Sequence, residues 1–124
     1  MGNKYQISDS EWFVMKVIWD HESITANEII ENLSTEKDWA PKTVKTMLSR
    51  LVSKGIIAYT KKGRSYSYYP VVSSDETIEE ETKSFIEKVF DGNFSSLIAN
   101  FVEHNEFTEN EIDELKEILD KKKG

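Results

Sequence analysis

The stretch that decides the fold is Trp39–Ser74, WAPKTVKTMLSRLVSKGIIAYTKKGRSYSYYPVVSS. It holds no aspartate or glutamate, although Asp38 precedes it and Asp75 follows it. It does hold Lys42, Lys45, Arg50, Lys54, Lys61, Lys62 and Arg64. Its first half has the spacing of an amphipathic helix. Val44, Met47, Leu48, Leu51 and Val52 fall on one side, and Lys42, Lys45, Thr46, Ser49, Arg50 and Ser53 on the other. Pro41 suits a first helical turn, where its missing N–H costs nothing, and Gly55 suits the position just past the end. Then the period changes. Ile56–Thr60 is rich in β-formers, Lys61–Ser65 reads as a turn, and Tyr66–Pro70 is β-rich again. This predicts a hairpin with a glycine-containing loop.

Upstream, Ser8-x-x-Glu11 and Thr25-x-x-Glu28 are capping boxes, in which the hydroxyl and the carboxylate satisfy each other's backbone amides. The first opens a helix over about residues 9–20, with Trp12, Met15, Ile18 and Trp19 at helical spacing. The second opens a short helix over about residues 26–34, with Ile29, Ile30 and Leu33 inward. Ser23-Ile24 between them is a candidate for a brief strand. Three helices followed by a basic-tipped hairpin is the order of a winged helix-turn-helix, expected here over residues 1–74.

Downstream of Ser74 the composition turns acidic and helical. Helices are predicted over about residues 75–91, 93–104 and 108–122, the last opened by the capping box Thr108-x-x-Glu111. About fifty residues in three amphipathic helices bury too little to form a good core alone. Their apolar faces include Phe85, Val89, Phe94, Leu97, Ile98, Phe101, Ile112, Leu115, Ile118 and Leu119. A second copy of the chain is the simplest cover, since two-fold dimers are the commonest oligomers. The expected fold class is therefore mainly α with a small β-hairpin: a winged helix-turn-helix domain plus a C-terminal three-helix dimerisation domain over 75–124.

Net charge is −7. Taken whole, that argues against nucleic acid, because phosphate binding needs positive charge. The distribution reverses the inference. Residues 1–74 carry ten Lys/Arg against eight Asp/Glu, whereas residues 75–124 carry six against fifteen. A basic face acts over a Debye length of about 8 Å, so it works on an acidic protein. There are no cysteines, and His21 and His104 stand alone, so no metal site and no cofactor are expected. No glycine-rich phosphate loop and no nucleophile–base pair is present, so no enzyme is expected. Met1-Gly2-Asn3 superficially suits N-myristoylation, but Gln6 stands where Ser or Thr is required. No apolar run is long enough to span a membrane. A cytoplasmic protein is the expectation.

The polar face of the third helix has the chemistry of a recognition helix. Lysine donates to guanine, threonine offers a methyl to thymine or a hydroxyl to either partner, and arginine meets phosphate or guanine. Base contacts come mainly from the N-terminal part of such a helix, which favours Lys42, Thr43, Lys45 and Thr46. Arg50, one turn later, suits a phosphate or the groove edge. Lys61, Lys62 and Arg64 at the hairpin tip suit phosphate or the minor groove. Thr25 and Ala26, at the start of the second helix, offer backbone amides to a phosphate. The partner expected on these grounds is double-stranded DNA. A winged-helix protein-interaction module is the alternative, and it leaves the acid-free stretch unexplained.

The order Ile7-Ser8-x-x-Glu11-Trp12-x-Val14-Met15-x-x-Ile18-Trp19 resembles the opening of the penicillinase-repressor family of BlaI/MecI/CopY type. The resemblance continues through Ala26–Ile29, Lys37–Thr46, Leu48-x-x-Leu51 and Lys54-Gly55, then Ser96–Glu103 and Glu111–Leu119. It implies a dimeric winged-helix repressor on inverted-repeat operators of β-lactam resistance genes. It further implies release by a protease linked to a membrane sensor-transducer, with the cut bond at Asn100–Phe101. The copper-responsive branch carries a C-terminal cysteine cluster that this chain lacks. Lys45 stands where members often have arginine, a point donor in place of a planar fork. A repressor of the same fold answering another signal is a further alternative.

Overall fold

The computed structural model describes residues 5–124. Met1, Gly2 and Asn3, with their lipidation-like pattern, lie outside the described residues. Both upstream capping boxes form. Ser8 Oγ accepts from the Glu11 amide and Glu11 Oε1 accepts from the Ser8 amide, which starts α1 at Asp9–Trp19. Thr25 and Glu28 do the same for α2, Ala26–Leu33, directly after the two-residue strand β1, Ile24–Thr25. The third helix, α3, runs Pro41–Ser53 with Pro41 in its first turn; its N-cap, Ala40, makes no side-chain bond. Lys54 closes it and Gly55 follows at φ +77°, a left-handed conformation that glycine adopts without penalty.

The hairpin is tighter than its basic tip suggests. β2 spans Ile57–Lys62 and β3 spans Ser65–Pro70, paired antiparallel from Ile57↔Pro70 to Lys62↔Ser65. The connection is therefore Gly63-Arg64 alone, not the five residues Lys61–Ser65. Gly63 has φ +62° at the first central position, which lets a two-residue turn follow the strand twist. Lys61 and Lys62 thus belong to the strand, where the regular ladder outweighs their polarity. β1 adds to the other edge of β3, with Ile24 opposite Tyr68, giving the order β1-β3-β2.

The core is one layer of helices closed by this sheet. Val14, Met15 and Ile18 from α1, Ile29 and Leu33 from α2, Val44, Met47, Leu48 and Leu51 from α3, and Ile24, Ile56 and Ile57 are all buried. Every inward residue of the third helix is therefore the one its periodicity predicts, apart from Val52, which is half-buried. One charged side chain enters this layer. Glu11 is 1% exposed, and its Oε1 lies 2.7 Å from Lys54 Nζ, which also donates to the Gln6 carbonyl. Lys54 is thus withdrawn from the basic face to which its position in the sequence assigns it.

The last helices are α4, Ser74–Phe90, α5, Phe94–His104, and α6, Glu109–Lys123. The chain divides into two compact units between Ser84 and Phe85, inside α4 and later than the change of composition at Asp75. The reason is local. Thr77 is fully buried and donates to the Ser73 carbonyl at 2.7 Å, and Trp19 Nε1 donates to the Val72 carbonyl at 3.0 Å. The first turns of α4 therefore pack with the first unit. A chain ending at Ser74 is expected to melt below one ending at Ser84 in a circular-dichroism scan. Each 1 kcal/mol of lost packing lowers Tm by about 4–8 °C in a domain of this size. Among the described residues, no helix is long and apolar enough to cross a membrane.

Candidate nucleic-acid interface

The packing of α3 leaves its polar side free. Lys42, Thr43, Lys45, Thr46, Ser49 and Arg50 are all exposed. Two open grooves flank this ridge. The first is lined by Ser8, Ser10, Trp39, Lys42, Thr43, Thr46, Met47 and Arg50. The second is lined by Thr25, Ala26, Asn27, Lys45, Ser49, Arg64, Ser65, Tyr66 and Tyr68. The structure thus gathers Lys42, Thr43, Thr46 and Arg50 on one side of the helix. It gathers Lys45 with Arg64, Thr25 and Ala26 on the other. Lys61 and Lys62 line neither groove, and Lys61 Nζ instead stands 5.5 Å from the centre of the Tyr66 ring.

Local hydrogen bonds refine what each residue can offer. Thr46 Oγ1 donates to the Lys42 carbonyl at 2.9 Å, so its proton is engaged while its methyl group and a lone pair remain available. Thr25 is more committed. Its amide donates to Glu28 Oε1 at 3.0 Å and its hydroxyl to the same oxygen at 2.9 Å. The Thr25 amide therefore serves the cap, and the amides free to face the second groove belong to Ala26 and Asn27. Those same bonds hold the Glu28 carboxyl below its ordinary range, the Thr25 amide contributing most. On the wing, burial foremost and then Tyr59 and Tyr66 raise the Tyr68 hydroxyl, so it stays a neutral donor. Tyr59 and Tyr66 meet edge to face at 4.9 Å, which stiffens the hairpin beside the groove.

Among the groove residues that escape sequence reasoning are Ser8, Ser10, Asn27 and Trp39. Ser8 reads locally as a cap, and nothing along the chain announces that the start of α1 lies beside α3.

The second unit has a different surface. Phe94, Leu97, Ile98, Phe101, Leu115, Ile118 and Leu119 line one groove with Val102 and Phe107, and every lining residue is apolar. Phe101 is 54% exposed and Leu119 61%, values unusual for side chains of this size. Ile112 is exposed outside the groove lining, and Phe85 and Val89 are exposed on α4. Asn100 and Phe101 sit inside α5, none of whose residues is buried. Among the described residues, no cluster of His, Asp or Glu is arranged to hold a metal.

A profile of the penicillinase repressor family matches residues 7–121. The chain belongs to the penicillinase repressor family. This family consists of winged-helix transcriptional repressors, not enzymes. The methicillin resistance regulatory protein MecI of Staphylococcus aureus (strain N315) is 44% identical over 123 residues, covering 98% of this chain and all of MecI. The solution structure of the DNA-binding domain of the repressor BlaI matches at TM-score 0.55 and 47% identity, over 61% of this chain and 93% of that one. The monomeric form of Bacillus licheniformis BlaI in complex with the blaP half-operator matches at TM-score 0.51 and 49% identity, over 57% of this chain and 87% of that one. Within this repressor family, the present chain thus shares the winged-helix unit, and its α3 is the helix framed by both grooves.

Proposed function

We propose that this chain represses β-lactam resistance genes by binding an inverted-repeat operator as a homodimer. In this reading α3 enters the major groove and presents Lys42, Thr43, Lys45 and Thr46 to base edges. Arg50, Arg64 and the Ala26 amide meet phosphates. The observation that carries the proposal is the exposed acid-free ridge of α3 with a basic, hydroxyl-rich groove on each side. The BlaI relative bound to a half-operator supports it.

The apolar groove of the second unit supports pairing with a second copy, which would cover Phe94, Leu97, Ile98, Phe101, Leu115, Ile118 and Leu119. Two half-sites held by one dimer gain from effective concentration, and separate monomers lose that gain. A protease tied to a membrane sensor-transducer then releases the operator by cutting Asn100–Phe101. The bond lies in a helix without buried residues, so local opening to an extended, cleavable form is cheap. The cut separates Phe101 and α6 from the rest of α5.

The test compares the full chain with one ending at Asn100, by sedimentation and gel shift. The full chain should sediment as a dimer and prefer a two-half-site duplex over a single half-site by about a hundredfold or more. The shortened chain should be monomeric and show no such preference. A monomeric full chain, or equal preference in both, would count against the proposal.

A further inference from the structure

The groove on the α1 side of α3 is lined by Trp39, an indole to which the described residues supply no hydrogen-bond partner. Trp39 is half-buried and precedes Ala40, the N-cap of α3. Its ring packs edge to face on Phe13, with centroids 6.0 Å apart at 85°. Phe13 is in turn covered by Lys37 Nζ at 4.3 Å and approached by Lys16 Nζ at 5.9 Å. The ring of Trp39 is therefore packed against a ring that itself carries two lysines. Its indole N–H has no hydrogen-bond partner among the described residues, whereas Trp19 donates its own to the Val72 carbonyl. The N–H is therefore open to solvent, and an indole N–H can only donate. The groove is otherwise lined by the cations Lys42 and Arg50, the hydroxyls of Ser8, Ser10, Thr43 and Thr46, and Met47, with no carboxylate among them. Such a setting fits an anionic oxygen.

We propose that Trp39 is a backbone contact: its indole N–H donates to one DNA phosphate on the α1 side of α3. This rests on the reading of α3 as the recognition helix. A helix seated in a major groove about 12 Å wide has a different strand on each flank. Arg64 lines the groove on the opposite flank. Trp39 and Arg64 thus hold opposite strands, and together they fix how α3 is seated between them. Contacts of this kind set register and carry no sequence information themselves. Trp39 is a positioning residue that leaves base choice to Lys42, Lys45 and Thr46.

The test uses Trp39→Phe, which keeps an aromatic ring against Phe13 and removes the donor. The probe is a duplex selected by the wild-type chain from a random pool. Affinity should fall about tenfold, the range for a hydrogen bond to a charged acceptor. The loss should be similar on selected and random duplexes. The slope of log K against log salt should not change, because no cation is removed. Replacing single phosphates by neutral methylphosphonates should reveal one position at which wild type weakens and Trp39→Phe does not. Independently of any variant, the Trp39 indole signal in an amide-type proton–nitrogen spectrum should shift and gain exchange protection on DNA, while that of Trp19 stays in place. Wild-type affinity in Trp39→Phe, an effect undiminished at every methylphosphonate position, or an unmoved indole signal on bound DNA would each overturn the assignment. If the pool yields no selected duplex, it is the recognition-helix reading that fails.

Discussion

A chain carrying Lys42→Ala and Lys45→Ala is expected to lose about a hundredfold or more in affinity for a selected duplex, from about 1–3 kcal/mol per base contact. The two lysines share one exposed ridge but line different grooves, Lys42 beside Trp39 and Lys45 beside Arg64. The double variant therefore weakens both flanks of α3. Random DNA should suffer less, since the phosphate contacts proposed for Arg50 and Arg64 would remain. Specificity, the ratio of the two affinities, should thus fall along with affinity itself. Both side chains are exposed and, among the described residues, neither is in an ion pair, so helix content and melting should be unchanged. Fluorescence anisotropy on both duplexes across a salt series measures all of this. If wild type contacts about six phosphates, log K should fall with a slope near −5 against log salt. Equal losses on selected and random DNA would make both lysines phosphate contacts. No loss on either would favour the protein-interaction reading.

Lys54→Met is expected to destabilise the first unit by about 3 kcal/mol at neutral pH, the low end for severing a buried ion pair. The low end applies because the Lys54 side chain is 32% exposed while that of Glu11 is 2% exposed. Burial by itself pushes the Glu11 carboxyl up. The Lys54 ammonium and the Ser8 amide and hydroxyl overcome that and hold it below the ordinary carboxylate range. In wild type the folded value is thus depressed. Its contribution to stability is complete above the unfolded carboxylate value, about 4.3, and is lost as pH falls through the lower folded value. Without Lys54, burial is opposed only by the two Ser8 bonds, so the folded value of Glu11 rises relative to wild type. The gap between wild type and Lys54→Met should narrow in urea titrations as pH falls through the carboxylate range, where wild type loses its contribution. Glu11→Leu combined with Lys54→Met should recover most of the loss. A variant within about 1 kcal/mol of wild type at pH 7 would mean that the pair acts like an exposed one.

Local grammar accounts for what was legible in advance. Ser8, Thr25 and Thr108 each start a helix because their partners Glu11, Glu28 and Glu111 lie within one turn. The inward face of α3 follows from a period that any helix must obey. The hairpin followed from its two β-rich runs, but its loop did not. Lys61 and Lys62 look like turn residues, and only the ladder opposite Tyr66 and Ser65 extends the strand through them. The remaining surprises come from long-range pairing. Glu11 serves its own cap and also meets Lys54, far along the chain. Trp39 opens the acid-free stretch, but only the placement of α1 brings Phe13 against its ring. Thr77 reads as a solvent-facing residue of an acidic helix, yet it is buried.

The way helices begin in this protein carries a further meaning. α1, α2, α4 and α6 each place carboxylates in the first turn, where a negative charge complements the helix dipole. α3 and α5 place none there. A carboxylate in the first turn of α3 would stand at position 43, against the groove meant for a polyanion. One in the first turn of α5 would bring charge beside Phe94 and Leu97. A first-turn carboxylate is worth about 0.3–1 kcal/mol, which both helices forgo, although α5 keeps its Asn93 side-chain cap. The helices left without an acid at their origin are the two that the proposed function assigns to another molecule. Under that proposal, a missing charge at a helix start marks a contact surface much as a basic patch does.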